Sequence, residues 1–466
     1  MLSNLKPYPE YKESGSRWLG AVPTHWEVRN LRTLISPRNE RNRSDLPLLS
    51  VAREKGVFVR SLTDGDENHN VIPEDLSNYK VARAGNLVIN KMKAWQGSMG
   101  LAPCDGIVSP AYFVFDFRIA NRVFGQALLR SKPYVAHFGQ ASDGVRVGQW
   151  DLTISGMRQI PVLLPSNDEQ AAIIRFLNYA NGQIERAIRA KKKLIALLNE
   201  QKQVIVHRAV TRGLNPNENV KPSGIPWLGD IPKHWKVKRG KFLFHQVDVR
   251  SKTGNEELLT VSSYDGVVPR STKTVMMFKA ASYVGHKLCW PKDLVINSLW
   301  AWARGLGFSK YHGIVSTAYG VYRLRDEYLE CWTYFNELLR SPAYDWEFHV
   351  RSKGIWKSRL QLTDDSFLDM RIVIPPANEA TKIAEYIDKS TARYSSAINR
   401  TSREIDLIRE YQKRLVADVV TGKIDVRGVS VPDIDEPEPE KGVEIGVNAK
   451  NEDEPTDEII NENNEN

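Results

Sequence analysis

The chain contains its own near-copy. Between Lys12–Leu34 and Lys221–Leu243, 11 of 23 positions are identical at an offset of 209. The shared core runs Trp18-Leu19-Gly20 through His25-Trp26, and again Trp227-Leu228-Gly229 through His234-Trp235. The likeness persists downstream. Leu87-Val88-Ile89-Asn90 returns as Leu294-Val295-Ile296-Asn297, Ala94-Trp95 as Ala301-Trp302, and Leu128-Leu129-Arg130-Ser131 as Leu338-Leu339-Arg340-Ser341. A period this long is far beyond that of a solenoid, so it predicts two homologous units in tandem, related by a pseudo-twofold within one chain. Similar but unequal halves suit a protein that touches two similar but unequal things.

Each repeat reads as a mixed globule followed by a long helix. Short β-like runs (Leu87–Asn90, Ile107–Ser109, Tyr112–Phe117, Gln159–Leu164) alternate with turns at Asp64-Gly65, Asp105-Gly106 and Asp265-Gly266. Apolar or small residues then recur in steps of three and four at Ile173, Leu177, Ala180, Ile184, Ala187, Leu194, Leu198 and Ile205, with Lys191 and Gln201 filling two polar seam positions. The second copy runs Ile383, Ile387, Tyr394, Ala397, Ile405, Ile408, Leu415, Val419. Such stripes need partners, and the simplest pairing is with each other, antiparallel. Pro165 and Pro375-Pro376 stand before the helices, with Asp168 and Asn378 as candidate N-caps. The expected class is therefore α+β: two mixed α/β globules joined by two long antiparallel coiled-coil helices. The expected boundaries are 1–165 (first domain), 166–212 (central helix), 213–220 (linker), 221–375 (second domain), 376–425 (distal helix) and 430–466 (acidic, disordered tail).

Charge points to a partner. Residues 431–466 hold 13 acidic and 2 basic residues, so the remainder carries 63 basic and 43 acidic, a net of +20. A body that basic favours a polyanion, most simply nucleic acid. No run of apolar residues suits a membrane span, no apolar leader begins the chain, and the three cysteines (Cys104, Cys289, Cys331) form no Cys-x-x-Cys pair. These features favour the cytoplasm. The sequence has no phosphate-loop signature, no His-Glu-x-x-His pair and no Asn/Asp-Pro-Pro-aromatic motif for gripping a flipped adenine. We therefore expect no catalysis, no metal and no cofactor of the chain's own. His25 and His234, each beside a Trp, read as structural.

Two clusters suit nucleic acid. The first is the loop Gln140–Asp151 and its copy Val350–Gln361. Ser142/Ser352 and Gly144/Gly354 align, while Arg146/Trp356, Val147/Lys357 and Gln149/Arg359 differ. A fixed turn with variable polar tips can present different donors to base edges or phosphates, and Lys353 adds a cation to the second copy. The second cluster sets Lys91 and Lys93 beside Trp95, against Trp300 and Arg304 beside Trp302. Cations interleaved with aromatics suit nucleic acid. The shared Trp95 and Trp302 read as core; Lys91, Lys93, Trp300 and Arg304 read as contacts. The rival reading is a coiled-coil adaptor that binds proteins through its two globules.

The repeated Lys-x-Ser-Gly-x-x-Trp-Leu-Gly-x-Val/Ile-Pro-x-His-Trp opening, the loops at Gly144 and Gly354, and Ile160–Pro165 followed by Asp168-Glu169-Gln170 carry a resemblance. Over about residues 10–425 the chain resembles the specificity (S) subunit of Type I restriction-modification enzymes. The second copy departs from the pattern at Asn378-Glu379-Ala380, where Gln is usual. The resemblance implies two target recognition domains, each reading half of a split, asymmetric site on double-stranded DNA. It implies that the helices set the gap and dock two methyltransferase (M) subunits, which two restriction (R) motor-nuclease subunits join. S-adenosylmethionine, ATP and magnesium would then belong to those partners, and the S subunit would perform no chemistry.

Overall fold

The computed structural model describes residues 5–60, 75–143, 150–273, 282–354 and 360–432. Contacts divide the chain between Lys191 and Lys192 and between Ser402 and Arg403. Unit 1 thus holds the residues up to Lys191 and those from Arg403; unit 2 holds those between. The tail and the Asp64-Gly65 turn lie outside the described residues.

In unit 1, alternating apolar strands form a four-stranded antiparallel sheet in the order Ile35–Pro37, Tyr112–Phe117, Leu87–Asn90, Met99–Leu101. The hairpin Leu49–Ala52/Gly56–Val59 packs over it, burying Leu49, Val51 and Val57 against Val88, Val108 and Val114. Helix α1 (Lys132–Gln140) buries Tyr134 and Phe138. Pro161–Leu164 pairs with Glu27–Asn30 and leads into α2 (Asn167–Arg212).

Unit 2 repeats this plan. Its sheet runs Phe244–Gln246, Tyr319–Leu324, Asp293–Asn297, Leu306–Phe308. The hairpin is Leu259–Ser262/Gly266–Pro269. Helix α3 (Pro342–Arg351) buries Tyr344 and Phe348. Arg371–Ile374 pairs with Lys236–Arg239 and leads into α4 (Ala377–Val420).

The repeated Leu-Leu-Arg-Ser segment has a physical role. Arg130 donates to the carbonyls of Arg53 (2.8 Å) and Glu54 (3.0 Å) at the hairpin tip. Arg340 donates to Ser263 O (2.9 Å) and Tyr264 O (2.8 Å). One guanidinium at a helix end thus clamps the hairpin in each unit. Backbone carbonyls, rather than carboxylates, accept from it, which satisfies a desolvated cation without a buried ion pair. Burial lowers both Arg130 and Arg340 from the usual arginine range.

The helix partners run antiparallel. In unit 1, Lys191 Nζ lies 2.6 Å from Glu404 and Gln412 Nε2 lies 3.2 Å from Asn181 Oδ1, so partner numbers fall as helix numbers rise. In unit 2, Lys202 Nζ donates to Ser395 Oγ at 3.1 Å. The seam residues of α2 differ from those expected. Ala187 is exposed where Ile188 is buried, and Leu194 is 45% exposed. Burial follows Ile173, Ile184 and Val206, with the half-buried Ile195 between, an 11-residue spacing. An α-helix departs from a strict heptad by about 20° per repeat, so over three heptads a stripe read at 3.5 residues per turn drifts by about 60°, more than half of the roughly 100° between neighbouring positions. Polar Lys191 does lie on the seam; Gln201 is exposed, and Lys202 takes its place. In α4 the expected Ile383, Ile387, Ile405, Leu415 and Val419 are buried.

The candidate caps also shift. Helix α2 begins at Asn167, and Ser166 Oγ, not Asp168, accepts from Glu169 N at 3.3 Å. Helix α4 begins at Ala377, one residue before Asn378. The residue that matters at both starts is the glutamate. In unit 1, Glu169 accepts from Tyr8 OH (2.7 Å), His25 Nε2 (2.9 Å) and Trp26 Nε1 (3.0 Å). In unit 2, Glu379 accepts from His234 Nε2 (2.7 Å) and Trp235 Nε1 (3.1 Å). The repeated His-Trp pair therefore ties the opening of each globule to a helix start, where an anion is also favoured by the helix dipole. Gln170 adds a second tie in unit 1, with Nε2 donating to Pro165 O (2.9 Å) and Oε1 accepting from Asn121 N (3.0 Å); Ala380 has no such group.

The segment after α4 completes unit 1. Gly422, after α4, has φ +77°, and a Cβ there would fall 2.5 Å from Pro23 Cδ, so only glycine permits this approach. Asp425 N then donates to Lys6 O at 2.8 Å.

Candidate nucleic-acid interface

The two sequence clusters meet in space. In unit 1, Asn90–Gly97 forms a tight 3-10 turn after the buried strand. Trp95 Nε1 donates to Met92 O (3.1 Å), and Lys91 O accepts from Leu152 N (2.9 Å). Leu152 pairs with Ser142, so the turn is fastened to the base of the Gln140–Asp151 loop. Unit 2 repeats each bond: Trp302 Nε1 donates to Leu299 O (3.0 Å), and Leu362 N donates to Ser298 O (2.9 Å). There Lys353 N and O pair with Gln361 O and N at 3.0 and 2.9 Å. The backbone is shared; the side chains are not. Lys91, Lys93 and Gln96 of unit 1 stand where unit 2 has Ser298, Trp300 and Ala303.

Lys91 Nζ lies 3.0 Å from Asp151, an exposed pair that costs little to exchange for another anion. Lys93 is exposed at the turn. Ser142 Oγ donates to Phe138 O (2.7 Å), as the buried Ser352 does to Phe348 O (2.7 Å), so both hydroxyl protons serve a helix end. Trp300 stacks on Trp302, with centroids 5.3 Å apart and planes at 29°. Arg304 occupies left-handed backbone, φ +62°, where unit 1 has Gly97 at +88°. Its guanidinium forks onto Asp345, with Nε 2.7 Å from Oδ1, a bidentate pair that holds a conformation non-glycine residues rarely adopt. Lys353 is exposed. Arg146, Gln149, Trp356, Lys357 and Arg359 lie outside the described residues. Trp95 and Trp302, read from sequence as core, are partly buried and hold their turns.

Beside the unit 1 turn opens a cleft of about 800 Å³. Arg53 and Arg60 of the hairpin region, Lys93 and Gln96 of the turn, and Asn90, Tyr79 and Tyr112 line it. Lys80 sits beneath, donating to Tyr112 O at 2.7 Å. Burial first, then the neighbouring Arg41 and Lys91, lower its ammonium from the usual lysine range. Burial also raises the Tyr112 phenol. Cations crowded at one mouth repel each other, and a polyanion relieves that cost. Arg53 and Arg60 were not legible beforehand, because nothing in their local pattern places them beside Lys93. Asn90 and Tyr112 do recur in the second copy, but there they mark strands. Among the described residues no group of three or more His, Cys, Asp or Glu is placed to hold a metal, and no helix is long and apolar enough to cross a membrane.

Comparison with solved structures assigns the fold. A chain from the structure describing complex assembly and conformational transition of the type I R-M system superposes with a TM-score of 0.53 at 14% identity, covering 86% of this chain and 98% of that chain. The HsdS subunit from Thermoanaerobacter tengcongensis (TM-score 0.39, 15% identity, 86% and 98% covered) and the Type I restriction-modification S subunit from M. genitalium (0.32, 12%, 84% and 96%) are more distant matches on which nothing further rests. No protein-family profile and no curated protein matches the sequence. The chain shares its fold with that chain of the type I R-M system, the system its repeated motifs led us to expect.

Proposed function

We propose that this chain is the specificity subunit of a Type I restriction-modification system. Units 1 and 2 carry the two target recognition domains, and each reads one half of a bipartite, asymmetric DNA site. The observation that carries this reading is the shared turn at the base of a shared loop, with unequal side chains. Lys91, Lys93 and Gln96 replace Ser298, Trp300 and Ala303 on one backbone frame. A constant frame with exchanged contact groups allows two different half-sites to be met in the same way. The net charge of +20 outside the acidic tail supports binding to DNA phosphates.

In this reading α2 and α4 set the gap between half-sites and seat two methyltransferase subunits, with two restriction subunits joining for cleavage. The chain performs no chemistry; S-adenosylmethionine, ATP and magnesium act on its partners. The test is an adenine-methylation map of a clean bacterial host co-expressing the chain with the methyltransferase gene beside its own. A single split motif, methylated on both strands and lost without this chain, is the expected result. An assembled complex that adds no methylation, or DNA binding that does not weaken as salt rises, refutes the reading and favours a protein-binding adaptor.

A further inference from the structure

Unit 2 bears an aromatic array whose rings other than Trp302 stand at positions where unit 1 carries none, although unit 1 sets Trp95 against Trp150 (5.1 Å) at its own turn. Trp300 stacks on Trp302; Trp302 meets His349 edge-on (6.2 Å, 74°); His349 lies nearly parallel to Trp346 (6.2 Å, 30°). Trp346 is 57% exposed and Val350 beside it 56%. The shared fold does not require these groups. Unit 1 builds the same turn and helix with Lys93, Ala136, Gly139 and Gln140 at the matching positions, while the buried Tyr134/Tyr344 and Phe138/Phe348 are kept. Apolar surface retained in water without a folding role marks an interface.

The array adjoins the loop base. Leu362 N bonds Ser298 O, two residues before Trp300, and the exposed Lys353 follows two residues after the end of α3. Two of its features select among ligands. Trp302 Nε1 already donates to Leu299 O, so that ring offers no donor to a base edge. The rings also lie against one another, with 5.3 Å between Trp300 and Trp302, which leaves no slot for an extruded base. Trp300 and Trp346 keep their Nε1 donors, but most of the surface they and Val350 present is apolar ring and methyl. In the major groove of a duplex, the one apolar group on a base edge is the C5 methyl of thymine.

We infer that Trp300 and Trp346 contact thymine methyl groups in the half-site read by unit 2, so that this half is chosen by apolar contact. The unit 1 half is met by the hydrogen-bonding groups of its cleft. This rests on the DNA-reading function proposed above.

The experiment uses the full chain assembled with its methyltransferase subunits and duplexes carrying the mapped target. Thymine is replaced by uracil in one half-site or the other, which removes the methyl and keeps every hydrogen-bonding group. Uracil in one half is expected to weaken binding about fourfold per contacted methyl, and in the other half hardly at all. Trp300→Lys and Trp346→Ala introduce the residues that unit 1 itself carries, and both are expected to erase the thymine preference while leaving the other half-site read as before. Equal affinity for thymine and uracil in both halves, a preference that survives both substitutions, or a target half without thymine overturns the inference. So does loss of methyltransferase assembly in Trp346→Ala with DNA affinity unchanged, which makes the array a protein contact. Absence of sequence-specific binding to any duplex overturns the parent reading instead.

Discussion

Replacing Glu169 by Ala tests how the repeated opening is tied to its helix. The carboxylate side chain is 4% exposed and accepts from Tyr8 OH, His25 Nε2 and Trp26 Nε1 at 2.7–3.0 Å. Trp26 is 0% and Tyr8 3% exposed, so neither donor gains water when the acceptor is removed. An unsatisfied buried donor costs about 1–3 kcal/mol, so two cost about 4 kcal/mol. The His25 ring is partly exposed and adds little. Glu169→Gln keeps one oxygen for Tyr8 and Trp26 and is expected to cost about 1 kcal/mol. In unit 2, among the described residues Glu379 accepts only from His234 and Trp235, and its side chain is 25% exposed, so water replaces part of what is lost. Glu379→Ala is expected to cost about 1–2 kcal/mol. A chain of two units need not unfold in one step, so hydrogen exchange on the full chain, read by peptide, is the assay. Glu169→Ala should speed exchange in unit 1 about a thousandfold, the equivalent of about 4 kcal/mol, and leave the unit 2 sheet protected. Protection in unit 1 within about 0.5 kcal/mol of the unsubstituted chain, the range of an ordinary surface change, refutes the argument. So does equal loss in both units.

Three further outcomes are expected. Inserting one heptad after Leu198, with a matched insertion in α4, adds about 10 Å of helix and should lengthen the tolerated gap by about three base pairs; an unchanged gap in the methylation map removes the ruler role. Arg146→Ala and Arg359→Ala should each relax one half-site only, by about 1–3 kcal/mol of base discrimination, whereas equal loss at both halves points to misfolding. Burial pushes the Cys289 thiol up to about 12 and raises Cys331 as well, while Cys104 is only partly buried. At pH 8 a maleimide should therefore label Cys104 first, and rapid labelling of Cys289 by mass spectrometry contradicts the packing.

The sequence by itself determined that there are two units, and much of what each contains. Identical runs such as Leu87–Asn90 and Leu294–Asn297 are local β signals, and both became central strands in sheets of the same order. Helix existence was equally legible, because a stripe over some forty residues averages out single errors. Its phase was not, since 3.5 and 3.6 residues per turn diverge only with length, and Ile188 took the place of Ala187. The loop and turn clusters were each visible as motifs. That they share one base was decided by the tertiary structure, through bonds such as Leu152 N to Lys91 O across 61 residues. The same is true of Arg53 and Arg60 in the cleft, of Trp346 beside His349, and of Glu169 beneath Trp26 at a separation of 143. Hydrogen bonds and ring contacts are short-ranged in space but indifferent to separation along the chain. Periodicity and local repetition reveal the elements, and only their packing brings such side chains together.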